Sequence, residues 1–138
     1  MTAWNIRPLA VADYQAALDL WNRCDGVRGN ETPDEFARIL ARNPDCSSAV
    51  DADGQLVGAV LCCHDGRRGY LYHLGVDAAY RRQGIGEAMV ERSLARLREE
   101  GIRRCSIHLI VGNEVGEKFW KKIGWRFRED LLVMAIDL

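Results

Sequence analysis

Proline is scarce: Pro8, Pro33 and Pro44 stand apart from one another in 138 residues, which excludes a polyproline segment or a stiff interdomain linker. No apolar run approaches the ~20 residues needed to cross a bilayer, so no membrane partner is expected. Charge of one sign is missing as well. A net charge of −1 argues against nucleic acid or an anionic membrane as an obligate partner. The N-terminus lacks the basic-then-apolar layout of a secretory leader, which predicts a cytoplasmic location. Five cysteines make an odd count with no C-x-x-C spacing and no companion histidine pattern. A disulfide framework and a zinc site are therefore not expected, and no metal is predicted. Cys62 and Cys63 are adjacent, so one faces the core, and small buried thiols are the expected role. Nothing pairs a thiol with a base. Repeats, low-complexity tracts and linkers are also missing, and residues 1–138 read as a single domain.

What is present is strong local patterning. The pattern predicts strand 4–9, helix 12–23, helix 33–42, strand 47–51, strand 55–64, strand 68–76, helix 84–99, strand 104–110, helix 113–122 and strands near 125–128 and 131–137. Thr32-Pro33 with Glu35 forms a capping-box start, Asp53-Gly54 a hairpin turn, and Gly101 a helix stop. This order predicts an α+β fold, with an antiparallel front half and a β-α-β unit behind it.

The most informative stretch is Arg81-Arg82-Gln83-Gly84-Ile85-Gly86, a basic, glycine-bearing turn between a strand and a helix. Such a turn leaves backbone N–H groups unpaired at the positive end of a helix dipole, where they can cradle a phosphate. The dinucleotide fingerprint requires a third glycine where Met89 stands, and the P-loop requires Gly-Lys before Ser or Thr. Neither is present. A second segment runs from Asn113 to Trp125. Asn113 suits a helix N-cap, Glu114 and Glu117 the first turn, Lys121 and Lys122 the last, and Gly124 the stop.

Together the pattern R-x-x-G-x-G after Leu74-Gly75-Val76 and the Asn113–Trp125 segment resemble the GNAT superfamily of N-acetyltransferases. The likeness is close over roughly residues 55–138 and holds in outline before that. It implies a mixed central sheet with helices on both faces and acetyl-coenzyme A as cosubstrate. It further implies that Leu74, Gly75 and Val76 carry the pantetheine and acetyl group by backbone hydrogen bonds. The N–H groups from Arg82 through Glu87, beside Arg81 and including Gln83, Gly84, Ile85 and Gly86, would take the pyrophosphate. Asn113 would reach the pantetheine arm. The implied reaction is direct attack of a neutral amine on the thioester, with an oxyanion stabilised by backbone N–H.

Trp120 occupies the position where many relatives place a tyrosine that protonates the departing thiolate. Indole cannot release a proton near neutral pH. Two readings follow: Trp120 packs against the cofactor or the core while water protonates the thiolate, or the protein only binds acyl-coenzyme A as a sensor. His108, on the 104–110 strand, is a candidate base, with a sheet-bonded histidine as the alternative. If Tyr70, Tyr72 and Leu74 share the acetyl-facing side, Tyr72 and Tyr70 become candidates as acid or substrate wall; strand alternation then puts His73 with Leu71. In the family the first two helices and their loop form the acceptor wall, here Cys24 to Glu31. A small amine, an amino acid and a peptide N-terminus fit it equally, and a homodimer is compatible with all three. A plain interaction module remains only if both motifs are coincidental.

Overall fold

The computed structural model describes residues 3–138. Five strands form one sheet: β1 (Asn5–Pro8), β2 (Ser48–Ala52), β3 (Gln55–His64), β4 (Gly69–Val76) and β5 (Cys105–Ile107), adjacent in that order. The first four pair antiparallel, and β5 lies parallel to β4. Helices α1 (Tyr14–Asn22) and α2 (Pro33–Arg42) pack their apolar residues on one face of the sheet. Helices α3 (Ile85–Glu99) and α4 (Glu114–Lys122) pack on the other. The α+β expectation is met.

Local chemistry accounts for these elements. The Thr32 hydroxyl accepts from the Glu35 N–H at 3.2 Å, and the Glu35 carboxylate accepts from the Thr32 N–H at 2.8 Å, so α2 starts in a reciprocal cap. Along α3, Ile85, Met89, Val90, Ser93 and Leu97 form one buried stripe against the sheet. Ser93 is the polar member. Its hydroxyl donates to the Cys46 carbonyl at 2.7 Å and lies 2.8 Å from the Ser48 hydroxyl, so burial leaves it satisfied. All five cysteines are free thiols, and Cys46 and Cys62 are core residues.

The strand carrying the site departs from simple alternation. Between Ala59 and Leu61 of β3 lies one residue, whereas their partners Gly75 and Tyr72 on β4 enclose two, His73 and Leu74. The extra residue makes a bulge, with His73 at φ +59°. Leu74 therefore joins Leu71 in the cluster on the α3 face. The His73 ring turns instead to the α1 face, 5.1 Å from the Trp21 ring and 6.3 Å from Tyr72. This corrects the expectation that His73 shares a face with Leu71, and Leu74 with Tyr72.

Three other boundaries differ from the sequence pattern. A 3-10 turn at residues 11–13 precedes α1, which begins at Tyr14 rather than residue 12. β5 spans Cys105–Ile107, shorter than the expected 104–110, so His108 lies beyond its end. Residues 125–138 form no strand, despite the pattern at 125–128 and 131–137. The three-residue edge of β5 offers few backbone partners. Arg67, Arg68, Arg104 and Arg128 also line one shallow cavity beside it, so like charges meet where another strand would dock.

Candidate active site

β4 and β5 part company after three residue pairs, Gly69–Cys105, Tyr70–Ser106 and Leu71–Ile107. β4 continues to Val76, so its edge from Tyr72 to Val76 has no strand partner on the β5 side. The result is a wedge that widens toward the loop joining β4 to α3. Gly75 lets the α1 side approach closely: a Cβ there would sit 2.9 Å from Trp21 Cδ1 and 3.3 Å from Cys24 Sγ. Trp21 in turn donates its indole N–H to the Ala59 carbonyl at 3.2 Å, opposite Gly75 beside the bulge. Packing and hydrogen bonding thus hold the irregular part of β4 in place.

The 82–87 loop has the form of an anion cradle. Among the described residues, no protein group accepts from the backbone N–H of any residue from Arg82 through Glu87. Arg82 at φ +63° and Gly84 at φ +80° both adopt left-handed backbone, which turns successive N–H groups outward before α3. A Cβ on Gly84 would meet nothing within 4 Å, so that face is open. Gly86 serves differently: a Cβ there would lie 3.3 Å from Phe119 Cζ, and its lack of a side chain seats α4 beside α3. Ile85 contributes its backbone here while its side chain is core. Glu87 is exposed, and the Gln83 side-chain oxygen is buried with no protein partner. Arg82 is exposed, and Arg81 bends back to donate to the Val76 carbonyl at 3.3 Å, which also accepts from Cys24 Sγ at 3.6 Å.

The segment between α1 and α2 roofs the wedge. At one end, Arg23 pairs with Asp77 at 2.9 Å. In the middle, Gly26 abuts Asn113: a Cβ on Gly26 would fall 2.4 Å from Asn113 Nδ2. Asn113 Oδ1 caps α4 by accepting from the Gly116 N–H at 2.9 Å, leaving Nδ2 toward the roof. At the far end, Glu31 Oε2 lies 2.7 Å from His73 Nε2, and Tyr14 donates to the Glu31 carbonyl at 2.6 Å. Both side chains of the pair are largely buried, at 17% and 15% exposure. Burial pulls the Glu31 carboxyl upward, but the His73 hydrogen bond and charge outweigh it and hold it below the usual range. Glu31 Oε1 is buried with no protein partner.

The residues expected to do chemistry are only partly assembled. Tyr72, Tyr70 and His108 form an aromatic group on the α1 side, with Tyr72–His108 ring centroids 5.8 Å apart and Tyr70–Tyr72 6.2 Å apart. His108 is exposed. Burial pushes the Tyr72 hydroxyl up to about 12, so it stays protonated. Trp120 does not join this group. It is 9% exposed in the cluster on the α3 face, packed edge-on against Phe119 and Trp125 with centroids at 5.2 and 4.7 Å. Sequence reasoning passed over His73 and Glu31. A glycine inside a strand pattern, here Gly75, was the signal available for the bulge that turns His73 inward. A groove of about 1070 Å³ beside β5 is lined by Tyr70, His108, Trp120, Leu94, Leu131 and their neighbours, and includes no residue of the 81–87 loop.

Comparison with known proteins agrees with this architecture. The model of the "Acetyltransferase (GNAT) family" matches residues 14–125. An acetyltransferase of Pectobacterium atrosepticum is 36% identical over 107 residues, covering 77% of this chain and 74% of that one. One of Sodalis glossinidius is 28% identical over 131 residues, covering 94% and 92%. In three dimensions the PaiA N-acetyltransferase of Thermoplasma acidophilum, solved with coenzyme A, superposes with a TM-score of 0.78 at 17% identity, covering 91% of each chain.

Proposed function

We propose that this chain, which belongs to the acetyltransferase (GNAT) family, moves the acetyl group of acetyl-coenzyme A to the nitrogen of a primary amine by direct attack. The observation that carries the reading is the roofed wedge, whose mouth is set with the unpaired N–H groups of residues 82–87. Those groups, with Arg81 and Arg82 alongside, bind the pyrophosphate. The free β4 edge at Leu74, Gly75 and Val76 binds the pantetheine amides and supplies the N–H that stabilises the oxyanion. Asn113 Nδ2 faces the pantetheine arm. The cytoplasm is the proposed compartment.

In the transfer step the amine first gives up its ammonium proton. Its lone pair then attacks the thioester carbon, the C–O π pair moves onto oxygen, and the tetrahedral adduct collapses as the C–S bond breaks. The thiolate leaves with that pair and takes up one proton, while the new amide nitrogen loses one. The net products are the N-acetyl amide, free coenzyme A and one proton. Trp120 packs in the core and delivers no proton. Tyr72, held protonated, hydrogen-bonds within the site, and solvent protonates the thiolate. His108 borders the acceptor side of Tyr72. The roof carries Asp25, Arg28 and Glu31, a mixed set that suits a small amine, an amino acid or a peptide N-terminus.

A second reading, an acyl-coenzyme A sensor without turnover, is favoured by Trp120 standing where the family acid would be. Thermal shift with acetyl-coenzyme A, followed by thiol release with a panel of primary amines, separates the two. Transfer predicts both a stabilising shift and amine-dependent release. A shift without release from any amine establishes the sensor, and no shift overturns both readings.

A further inference from the structure

We infer that His73 is the group that takes the proton from the acceptor amine, and that Glu31 is the positioning residue that aims it; this rests on the amine-transfer reading above. Three histidines are present. His64 sits in the β3–β4 hairpin and accepts from the Gly66 N–H at 3.0 Å through Nδ1, away from the wedge. His108 is exposed, past the end of β5, and has no carboxylate partner among the described residues. Among the described residues, His73 alone of the three is joined to a carboxylate, at 2.7 Å.

That contact fixes a tautomer. With Glu31 ionised, Nε2 carries the hydrogen and donates it to Oε2, so the lone pair of the neutral ring resides on Nδ1. Among the described residues Nδ1 has no hydrogen-bond partner, and it is not among the side-chain atoms sealed from solvent without one. An imidazole oriented by a carboxylate through one nitrogen, with the other nitrogen free, is the arrangement of an aimed general base. The Glu31 oxygen that makes no protein contact is sealed beneath the roof, where a full negative charge would be costly unless it served a cationic partner. That partner is the imidazolium formed when His73 accepts the proton.

Backbone conformation points the same way. A histidine held at φ +59° in a sheet is strained, and such strain persists where the surroundings over-determine it. Here a bulge, the Trp21 ring and Glu31 do so together. The bulge moves the ring from the α3 face into the space under the roof, beside the unpaired β4 edge. The proton balance is simple: the ammonium N–H bond breaks, its pair stays on nitrogen as the nucleophile, and the proton bonds to Nδ1 and later passes to solvent. Besides Glu31, the titratable group recorded against the ring is Tyr72 on its own strand; Tyr14 of α1 lies one step further, donating to the Glu31 carbonyl, while Tyr70 and His108 meet Tyr72 rather than His73.

The test uses the full chain and its His73→Gln, His108→Gln and Glu31→Gln variants. Thiol release with ethanolamine, glycinamide and a tripeptide bearing a free N-terminus is followed from about pH 5.5 to 9, alongside acetyl-coenzyme A affinity by calorimetry. The expected result is an ascending limb in kcat/KM that disappears in His73→Gln with a loss of about 10²-fold or more, while cofactor affinity is unchanged. Glu31→Gln should keep the ascending limb and lose only part of the rate, because the amide oxygen still accepts the Nε2–H and holds the ring. His108→Gln should keep the limb. A His73→Gln protein with wild-type rate and limb overturns the inference but leaves acetyl transfer standing. A limb lost only in His108→Gln transfers the role to that residue and overturns it equally. Release with none of the amines, although acetyl-coenzyme A binds, overturns the transfer reading and this inference with it. Imidazole ¹⁵N NMR of the wild type is an arm independent of turnover: His73 with its hydrogen on Nε2 supports the assignment, and hydrogen on Nδ1 overturns it.

Discussion

Gly84 and Gly86 stand two residues apart in the same loop, yet valine should do different damage at each. At Gly86 a Cβ already falls 3.3 Å from Phe119 Cζ and 3.4 Å from Cε1, and valine adds two methyl groups beyond it. Phe119 has little room to yield, since its ring stacks edge-on against Trp120 at 5.2 Å. Overpacking of this kind costs about 1–3 kcal/mol, or a fall in Tm of roughly 3–10 °C for a chain of this size. At Gly84 nothing lies within 4 Å, so the cost is conformational: φ is +80°, and a side chain there costs about 1–2 kcal/mol. The new methyl groups also stand in the open face of the loop, where the proposed reading brings the pyrophosphate to the N–H groups. Gly84→Val should therefore weaken acetyl-coenzyme A binding by about tenfold or more, equivalent to at least 1.4 kcal/mol. Gly86→Ala, with only one carbon to accommodate, should lose stability and keep most of its affinity. Differential scanning calorimetry and cofactor titration on both variants decide the matter. Unchanged cofactor affinity in Gly84→Val would refute the placement of the pyrophosphate at this loop.

Trp120→Tyr should fold and keep the rate of transfer, at a cost of about 1–2 kcal/mol for the space left against Trp125, measured by denaturant unfolding beside steady-state kinetics. Ser93→Ala leaves the buried Cys46 carbonyl without its donor and the Ser48 hydroxyl with one partner fewer, which should cost about 1–3 kcal/mol and lower Tm without changing acetyl-coenzyme A affinity. The Glu31 carboxyl lies below its ordinary value of 4.5 in the folded protein, so its stabilising contribution is complete above that pH and is lost as pH falls through the lower, folded value. The difference in Tm between wild type and Glu31→Gln should accordingly shrink to nothing on acidification, and a difference that persists below about pH 2 would contradict the ion pair with His73.

The sequence made the helices legible because their signals are local. Thr32, Pro33 and Glu35 cap α2 as their types predict, and Asn113 caps α4. The open form of the 82–87 loop, with its backbone N–H groups unpaired, was readable for the same reason, since glycine placement and the coming helix both lie within a few residues. What escaped depended on pairing between distant segments. Whether His73 faces α1 or α3 is decided by a register shift between β3 and β4, and a shift of one residue reverses every later side chain. Glu31 read only as the last residue of the acceptor-wall loop because its partner lies 42 positions away. The C-terminal pattern at 131–137 has good strand propensity, but propensity supplies no partner, and β5 provides only three residues of edge. Gly86 shows both kinds of signal at once: its N–H is one of the loop's unpaired groups, a local feature, while the need for glycine there comes from distant Phe119, which packs against the missing Cβ.

The division of labour between the two ends of the reaction follows from acidities. A coenzyme A thiol resembles a free cysteine thiol, near 8.5, and is a tolerable leaving group without help. Burial raises the Tyr72 hydroxyl to about 12, so full proton transfer from it to the thiolate is uphill by about three powers of ten. A hydrogen bond from Tyr72 is favourable; donation of its proton is not. Trp120 is no substitute, being packed in the α3-side cluster with an N–H that does not ionise. The nucleophile has the opposite problem. A primary amine is almost wholly protonated at neutral pH and cannot attack until a proton is removed. On the proposed amine-transfer reading, catalytic assistance is therefore worth most on the amine side, where the inferred base His73 combines a bulge, a strained backbone and a buried carboxylate. An enzyme arranged this way should respond to pH through the amine and His73, while its rate depends little on which group protonates the departing thiolate.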